Sequence, residues 1–112
     1  MTDAEQIDAL KALAHPLRLQ ILQSLQGRER NVGEIEQATG IGQPALSQQL
    51  GVLRKAGLVD TRKEAKLVYY NLNPKRLSAL AEIVGGLAGV AAGPATKERP
   101  RSPGVANFAR LS

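Results

Sequence analysis

Residues 31–57 read Asn31-Val32-Gly33-Glu34-Ile35-Glu36-Gln37-Ala38-Thr39-Gly40-Ile41-Gly42-Gln43-Pro44-Ala45-Leu46-Ser47-Gln48-Gln49-Leu50-Gly51-Val52-Leu53-Arg54-Lys55-Ala56-Gly57. Asn31 offers the side-chain oxygen of an N-cap, and Glu34 follows three residues later, an approximate capping box for a helix carrying Val32, Ile35 and Ala38. Gly40-Ile41-Gly42 breaks that helix, and Pro44 falls where the first turn of the next should begin. The second helix of the pair runs to Ala56 with Leu46, Leu50 and Leu53 at i, i+4 and i+7, and Gly57 has the character of a closing residue. Two short helices joined by a tight glycine turn predict a helix-turn-helix.

Toward the N-terminus, Asp3 is the expected N-cap of a first helix over residues 4–14, whose apolar stripe continues as Ile7, Leu10, Ala14 and Leu17. His15-Pro16 interrupts it, because a residue before proline is pushed out of the helical region. Another helix starts at Pro16 and runs to about Gln26 with Leu17, Ile21, Leu22 and Leu25 inward, and Gly27 stops it. Toward the C-terminus the period changes. Residues 58–62 and 67–72 read as the strands of a β-hairpin, with Lys63-Glu64-Ala65-Lys66 as its loop. Tyr69 and Tyr70 alternate across the second strand, so one is expected in the core and the other outside. Asn73-Pro74 opens a last helix with a stripe of Leu77, Leu80, Ala81, Val84, Leu87 and Ala88, while Ile83 and Val90 lie off it. A helix apolar on more than one side needs two partners. The expected organisation is one mainly α domain over residues 1–92 with a small β-hairpin, followed by a flexible basic tail at 93–112 containing proline and glycine.

The 112 residues carry a net charge of +5, with 15 Lys and Arg against 10 Asp and Glu. Residues 1–60 hold six basic and seven acidic side chains, and residues 61–112 hold nine basic and three acidic, so the excess lies at and beyond the hairpin. With no cysteine there is no disulfide, thiolate metal site or cysteine nucleophile. One histidine and no clustered carboxylate pair leave no nucleophile and base to propose, which argues against an enzyme. The run from Ile83 to Gly93 is too short and too rich in glycine to span a bilayer. The acidic opening Met1-Thr2-Asp3 lacks the basic segment of a signal peptide, so a cytoplasmic location is expected.

The order Leu10-Lys11-Ala12-Leu13-Ala14-His15-Pro16-Leu17-Arg18-Leu19-Gln20-Ile21-Leu22, then Val32-Gly33-Glu34-Ile35, then residues 43–59 and finally Tyr69-Tyr70-Asn71-Leu72 resembles the ArsR/SmtB family of bacterial repressors over about residues 5–90. The resemblance implies a winged helix-turn-helix that forms a homodimer through its first and last helices. It also implies that the fourth helix enters the major groove of double-stranded DNA and that the hairpin lies as a wing on the backbone. Ile7, Leu10, Leu77, Leu80, Val84 and Leu87 are the interface residues this predicts. In wording, especially Gln43-Pro44-Ala45-Leu46-Ser47-Gln48-Gln49-Leu50 and Glu34, the chain is most similar to the branch that senses persulfides or oxidants through one cysteine in the second helix and one in the last. Gln23 and Ser24 occupy the region of the first and small residues around Ala88 that of the second, so this sequence cannot make that switch.

With Leu46, Leu50 and Leu53 facing inward, Gln43, Ser47 and Gln48 are left on the outer side near the start of the fourth helix. Gln pairs with adenine N6 and N7, and Ser serves several base edges, so these three are the expected base contacts. Arg54, Arg62, Lys63 and Lys66 are the expected backbone contacts, in a 23-residue span that includes Lys55, Lys75 and Arg76 and only Asp60 and Glu64 as acids. The family usually carries a glycine near the wing tip, and Ala65 replaces it here.

The family's metal sensors use cysteines in the third helix or paired His and carboxylate residues on the last; neither set is present, and Glu82 is the last helix's one acid. No metal and no cofactor is therefore expected, and His15 beside Pro16 reads as a structural or capping residue. Two routes for a signal remain: a small organic inducer in a cavity between the first and last helices, near Gly85, Gly86 and Gly89, or control by protein abundance alone. The other class open to this fold is a winged helix that binds protein or RNA. It would show an acidic or apolar outer face on the fourth helix, and Gln43, Ser47 and Gln48 argue against it.

Overall fold

The computed structural model describes residues 1–89. Elements follow in the order α1 (Asp3–Leu13), α2 (Pro16–Ser24), β1 (Arg30–Asn31), α3 (Val32–Thr39), α4 (Ala45–Lys55), β2 (Val59–Glu64), β3 (Leu67–Leu72) and α5 (Pro74–Leu87). This is the winged helix-turn-helix arrangement expected from the sequence, with three strands where two were anticipated. The expected tail at 93–112 lies outside the described residues.

Thr2, and not Asp3, caps α1: its backbone is extended, its hydroxyl accepts from the Glu5 amide at 3.1 Å, and Glu5 accepts from the Thr2 amide at 2.8 Å. Asp3 instead falls in the first turn, where a carboxylate complements the helix dipole. The inner face of α1 consists of Ala9 and Ala12, which are small enough to let the helix lie against α2 and α4. Ile7, the first residue of the apolar stripe read from the sequence, is 52% exposed, and Leu10 in the same stripe is half-buried.

His15 caps α2 with its Nδ1 accepting from the Leu17 amide at 3.2 Å, the capping role expected of it. The helix ends at Ser24, two residues early, where the Ser24 hydroxyl donates to the Ile21 carbonyl and Leu25 becomes the C-cap. Ile21, Leu22 and Leu25 are buried, whereas Leu17 is only half-buried. β1 was not anticipated; two residues are too few to show a period of two. It pairs Arg30 with Tyr70 and Asn31 with Tyr69, giving a three-stranded antiparallel sheet in the order β1-β3-β2.

The expected capping box opens α3, with Asn31 Oδ1 and the Glu34 carboxylate each bonded to the other's amide at 2.9 Å. Gly40 closes the helix at φ +75°, a left-handed conformation that glycine adopts without strain. Pro44 is the N-cap of α4 and lies one residue before the first turn expected for it. Leu46, Leu50 and Leu53 are all buried, and two bonds finish the helix: Gly57 amide to Arg54 carbonyl and Leu58 amide to Leu53 carbonyl, both 3.0 Å. That pair is a Schellman closure with Gly57 at φ +78° and two buried leucines in the accompanying hydrophobic positions.

β2 and β3 pair from Val59 with Leu72 out to Glu64 with Leu67. The turn is therefore the two residues Ala65-Lys66, not the four expected, and Ala65 takes φ +56° to make it. Tyr69 and Tyr70 are both half-buried, which corrects the expectation of one inside and one outside. Asn73 Oδ1 accepts from the Arg76 amide at the start of α5, and the Arg76 guanidinium donates to the Ala56 carbonyl at the end of α4. Leu80 is 3% exposed within the protomer, so it is a core residue with almost no surface to offer a partner, contrary to its expected interface role. None of the described residues form a helix long and apolar enough to cross a membrane.

Candidate nucleic-acid interface

Because three leucines fix the inner face of α4, its opposite face is presented as a unit. Gln43, Ser47 and Gln48 are all exposed there. Pro44 has no side chain to cap the helix, and Gln43 does so instead: its Oε1 accepts from the Ser47 amide at 3.1 Å and from the Ser47 hydroxyl at 2.7 Å. The bond orients both groups. It leaves the Gln43 amide NH2 as a donor and the Ser47 oxygen as an acceptor, a mixed pattern suited to base edges.

Two residues that sequence reasoning missed hold this helix in place. The Arg18 guanidinium, on α2, donates to the Ala12 carbonyl at 2.6 Å and the Lys11 carbonyl at 3.3 Å, satisfying carbonyls at the end of α1. It also donates to Gln49 Oε1 on α4 at 2.8 Å, so one planar fork joins three helices. No local spacing could have revealed this, since Arg18 and Gln49 are 31 positions apart.

On the wing, Lys63 and Lys66 are exposed, as is Arg54 at the end of α4. Arg62 is differently placed from its neighbours. Its Nε and Nη2 donate to the two Glu29 carboxylate oxygens at 3.1 and 2.6 Å, its Nη1 donates to Glu64 at 2.6 Å, and its guanidinium lies 4.8 Å from the centre of the Tyr69 ring. The hydrogen bond from Arg62 holds the Glu29 carboxyl below the usual carboxylate range, and the two carboxylates together raise the guanidinium further. Glu29 was not singled out in the sequence. Its nearest cations are Arg28 and Arg30, and only the fold supplies the partner 33 positions away.

Among the described residues, no three His, Asp or Glu side chains converge to hold a metal ion. An open groove of about 340 Å³ is lined by Asp8, Lys11 and Ala12 of α1, Arg18 of α2, Val52 and Lys55 of α4, and Ala56. A smaller one of about 250 Å³ runs over Leu13, Leu19, Leu22, Leu72 and Leu77.

A buried helix-turn-helix whose second helix shows amides and a hydroxyl outward, beside a hairpin carrying lysines, defines a winged-helix DNA-binding protein. The family model for bacterial regulatory proteins of the arsR family matches residues 15–61. The chain is 49% identical to the biofilm growth-associated repressor of Xylella fastidiosa over 76 residues, which are 68% of this chain and 67% of that protein. It is 44% identical to the transcriptional activator HlyU of Vibrio cholerae over 81 residues, 72% of this chain and 75% of HlyU. The crystal structure of the transcriptional repressor BigR from Xylella fastidiosa aligns with a TM-score of 0.61 at 44% identity, covering 75% of this chain and 86% of that one. This chain belongs to the ArsR family of bacterial transcriptional regulators.

Proposed function

We propose that the protein is a homodimeric repressor that binds an inverted-repeat operator, reading bases with Gln43, Ser47 and Gln48 and holding the backbone with Arg54, Lys63 and Lys66. The observation that carries this reading is the two-sided character of α4, with leucines fully inside and a Gln-capped polar N-terminal face outside. Such a helix suits the major groove, and base contacts there carry the sequence information that phosphate contacts lack. Repression is favoured over activation by the higher identity to the Xylella repressor than to the Vibrio activator. The dimer is supported by apolar side chains that the protomer leaves in solvent: Ile7 on α1, and Val84 and Leu87 on α5, the last 87% exposed. Leu10 and Leu77 are half-buried in the protomer. An inducer acts by binding the DNA-competent and DNA-incompetent states with different affinity, and a small organic inducer fits a chain without thiols.

Selection from random duplexes tests the reading, with an enriched palindromic motif as the expected result. Equal binding to any duplex, or a monomer in light scattering, contradicts it.

A further inference from the structure

Arg62 carries the charge a wing needs for phosphate, yet the fold has already used it. All three of its nitrogens donate to carboxylates, and one face of its guanidinium plane rests against Tyr69. To reach a phosphate it would have to leave Glu29 and Glu64 as two unpaired anions close to a polyanion. The two partners differ in kind. Glu64 is two residues away on the same strand, whereas Glu29 belongs to the segment between α2 and β1, at the edge of the helix-turn-helix. The Arg62–Glu29 fork thus crosses from the wing to the unit that carries α3 and α4. It does so at the register where β1 joins the sheet, since Arg62 pairs with Tyr69 and Tyr69 pairs with Asn31.

We infer that Arg62 is a positioning residue: its bidentate fork onto Glu29 fixes the angle of the wing relative to the recognition helix, and the phosphate contacts of the wing come from Lys63 and Lys66. A guanidinium is suited to this because its planar fork matches a carboxylate, which a lysine ammonium cannot do. The short β1 strand gains from it in the same way, being only two residues long and paired on one side.

The inference rests on the DNA-binding reading for its function but not for its geometry, and the test separates the two. Amide hydrogen exchange over residues 59–72, without DNA, is compared for the unmodified protein, Glu29→Gln and Arg62→Lys. Faster exchange in both variants is expected. Affinity for a mixed-sequence duplex is then followed across a range of salt. Arg62→Ala and Arg62→Lys should weaken binding alike, about two- to five-fold, with the salt slope unchanged. Lys63→Ala should flatten the slope by about 0.9. Unchanged exchange in Glu29→Gln overturns the inference. So does a slope that falls in Arg62→Ala as far as in Lys63→Ala, or an Arg62→Lys protein that binds like the unmodified one. If the unmodified protein fails to bind duplex at all, the DNA-binding reading falls, and the exchange measurements still decide the role of Arg62.

Discussion

The proposed recognition helix and the wing beside it are held by different forces. α4 is fixed by three buried leucines, a Schellman closure and the Arg18–Gln49 bond, and nearly all of that support is apolar or out of reach of salt. The wing is fixed at its base by Leu58 and Val59, but farther out it depends on exposed charges, Arg62 with Glu29 and Glu64. A base reader must be placed to within a fraction of an ångström, which close packing supplies. A backbone contact tolerates more freedom, and surface charge is enough to place it.

If packing is what places α4, the largest effect comes from removing it. Leu50→Ala should lower unfolding free energy by about 2–5 kcal/mol, since it leaves a cavity under the helix. For a small domain with a total of about 5–15 kcal/mol this is severe, and thermal unfolding followed by circular dichroism would show it. Little change would mean that α4 is held by something other than its leucines.

Next in size are the outer residues of the same helix. Gln43→Ala, Ser47→Ala or Gln48→Ala should each cost about 1–3 kcal/mol on the preferred site and little on random duplex. Gln43→Ala carries a further effect, because it removes the cap that orients Ser47. Its loss should therefore be less than additive with Ser47→Ala in a double-mutant cycle.

A smaller effect is expected at the wing tip. Ala65 holds φ +56°, which L-residues adopt at a cost, so Ala65→Gly should stabilise the hairpin by about 0.5–1 kcal/mol in thermal unfolding. Destabilisation would show that the methyl group makes a contact more valuable than the relief of strain.

The smallest concerns pH. Arg62 depresses the Glu29 carboxyl below its ordinary 4.5, so the pair contributes to wing order above that value and is lost as pH falls through the lower, folded-state one. Amide exchange of β2 and β3 should therefore speed up below about pH 4.5, beyond the intrinsic pH dependence, while α4 keeps its protection. Equal responses in the two regions would erase the distinction between them.

Those two supports also explain what could be read from the chain. The helix-turn-helix was legible because its signals are local: Asn31 and Glu34 three apart, Gly40 and Gly57 at the helix ends, leucines at i, i+4 and i+7. His15 as a cap was legible for the same reason. Arg18–Gln49, Arg62–Glu29 and the pairing of β1 with β3 join positions about 30 or more apart, and no spacing rule reaches that far. The α1 stripe shows a further limit. Periodicity identified Ile7 as part of an apolar face, but Ala9 and Ala12 are the residues of α1 that the core buries. Leu80 failed in the opposite sense: a stripe along α5 does not reveal that its first half is spent on the protomer's own core.

The most direct test of the division between reader and anchor is to repeat the selection from random duplexes with Gln48→Ala and with Lys63→Ala. The unmodified protein and Lys63→Ala should enrich the same inverted repeat, with Lys63→Ala requiring lower salt, while Gln48→Ala should lose preference at one or more positions in each half-site. A motif altered by Lys63→Ala and left intact by Gln48→Ala would contradict the account.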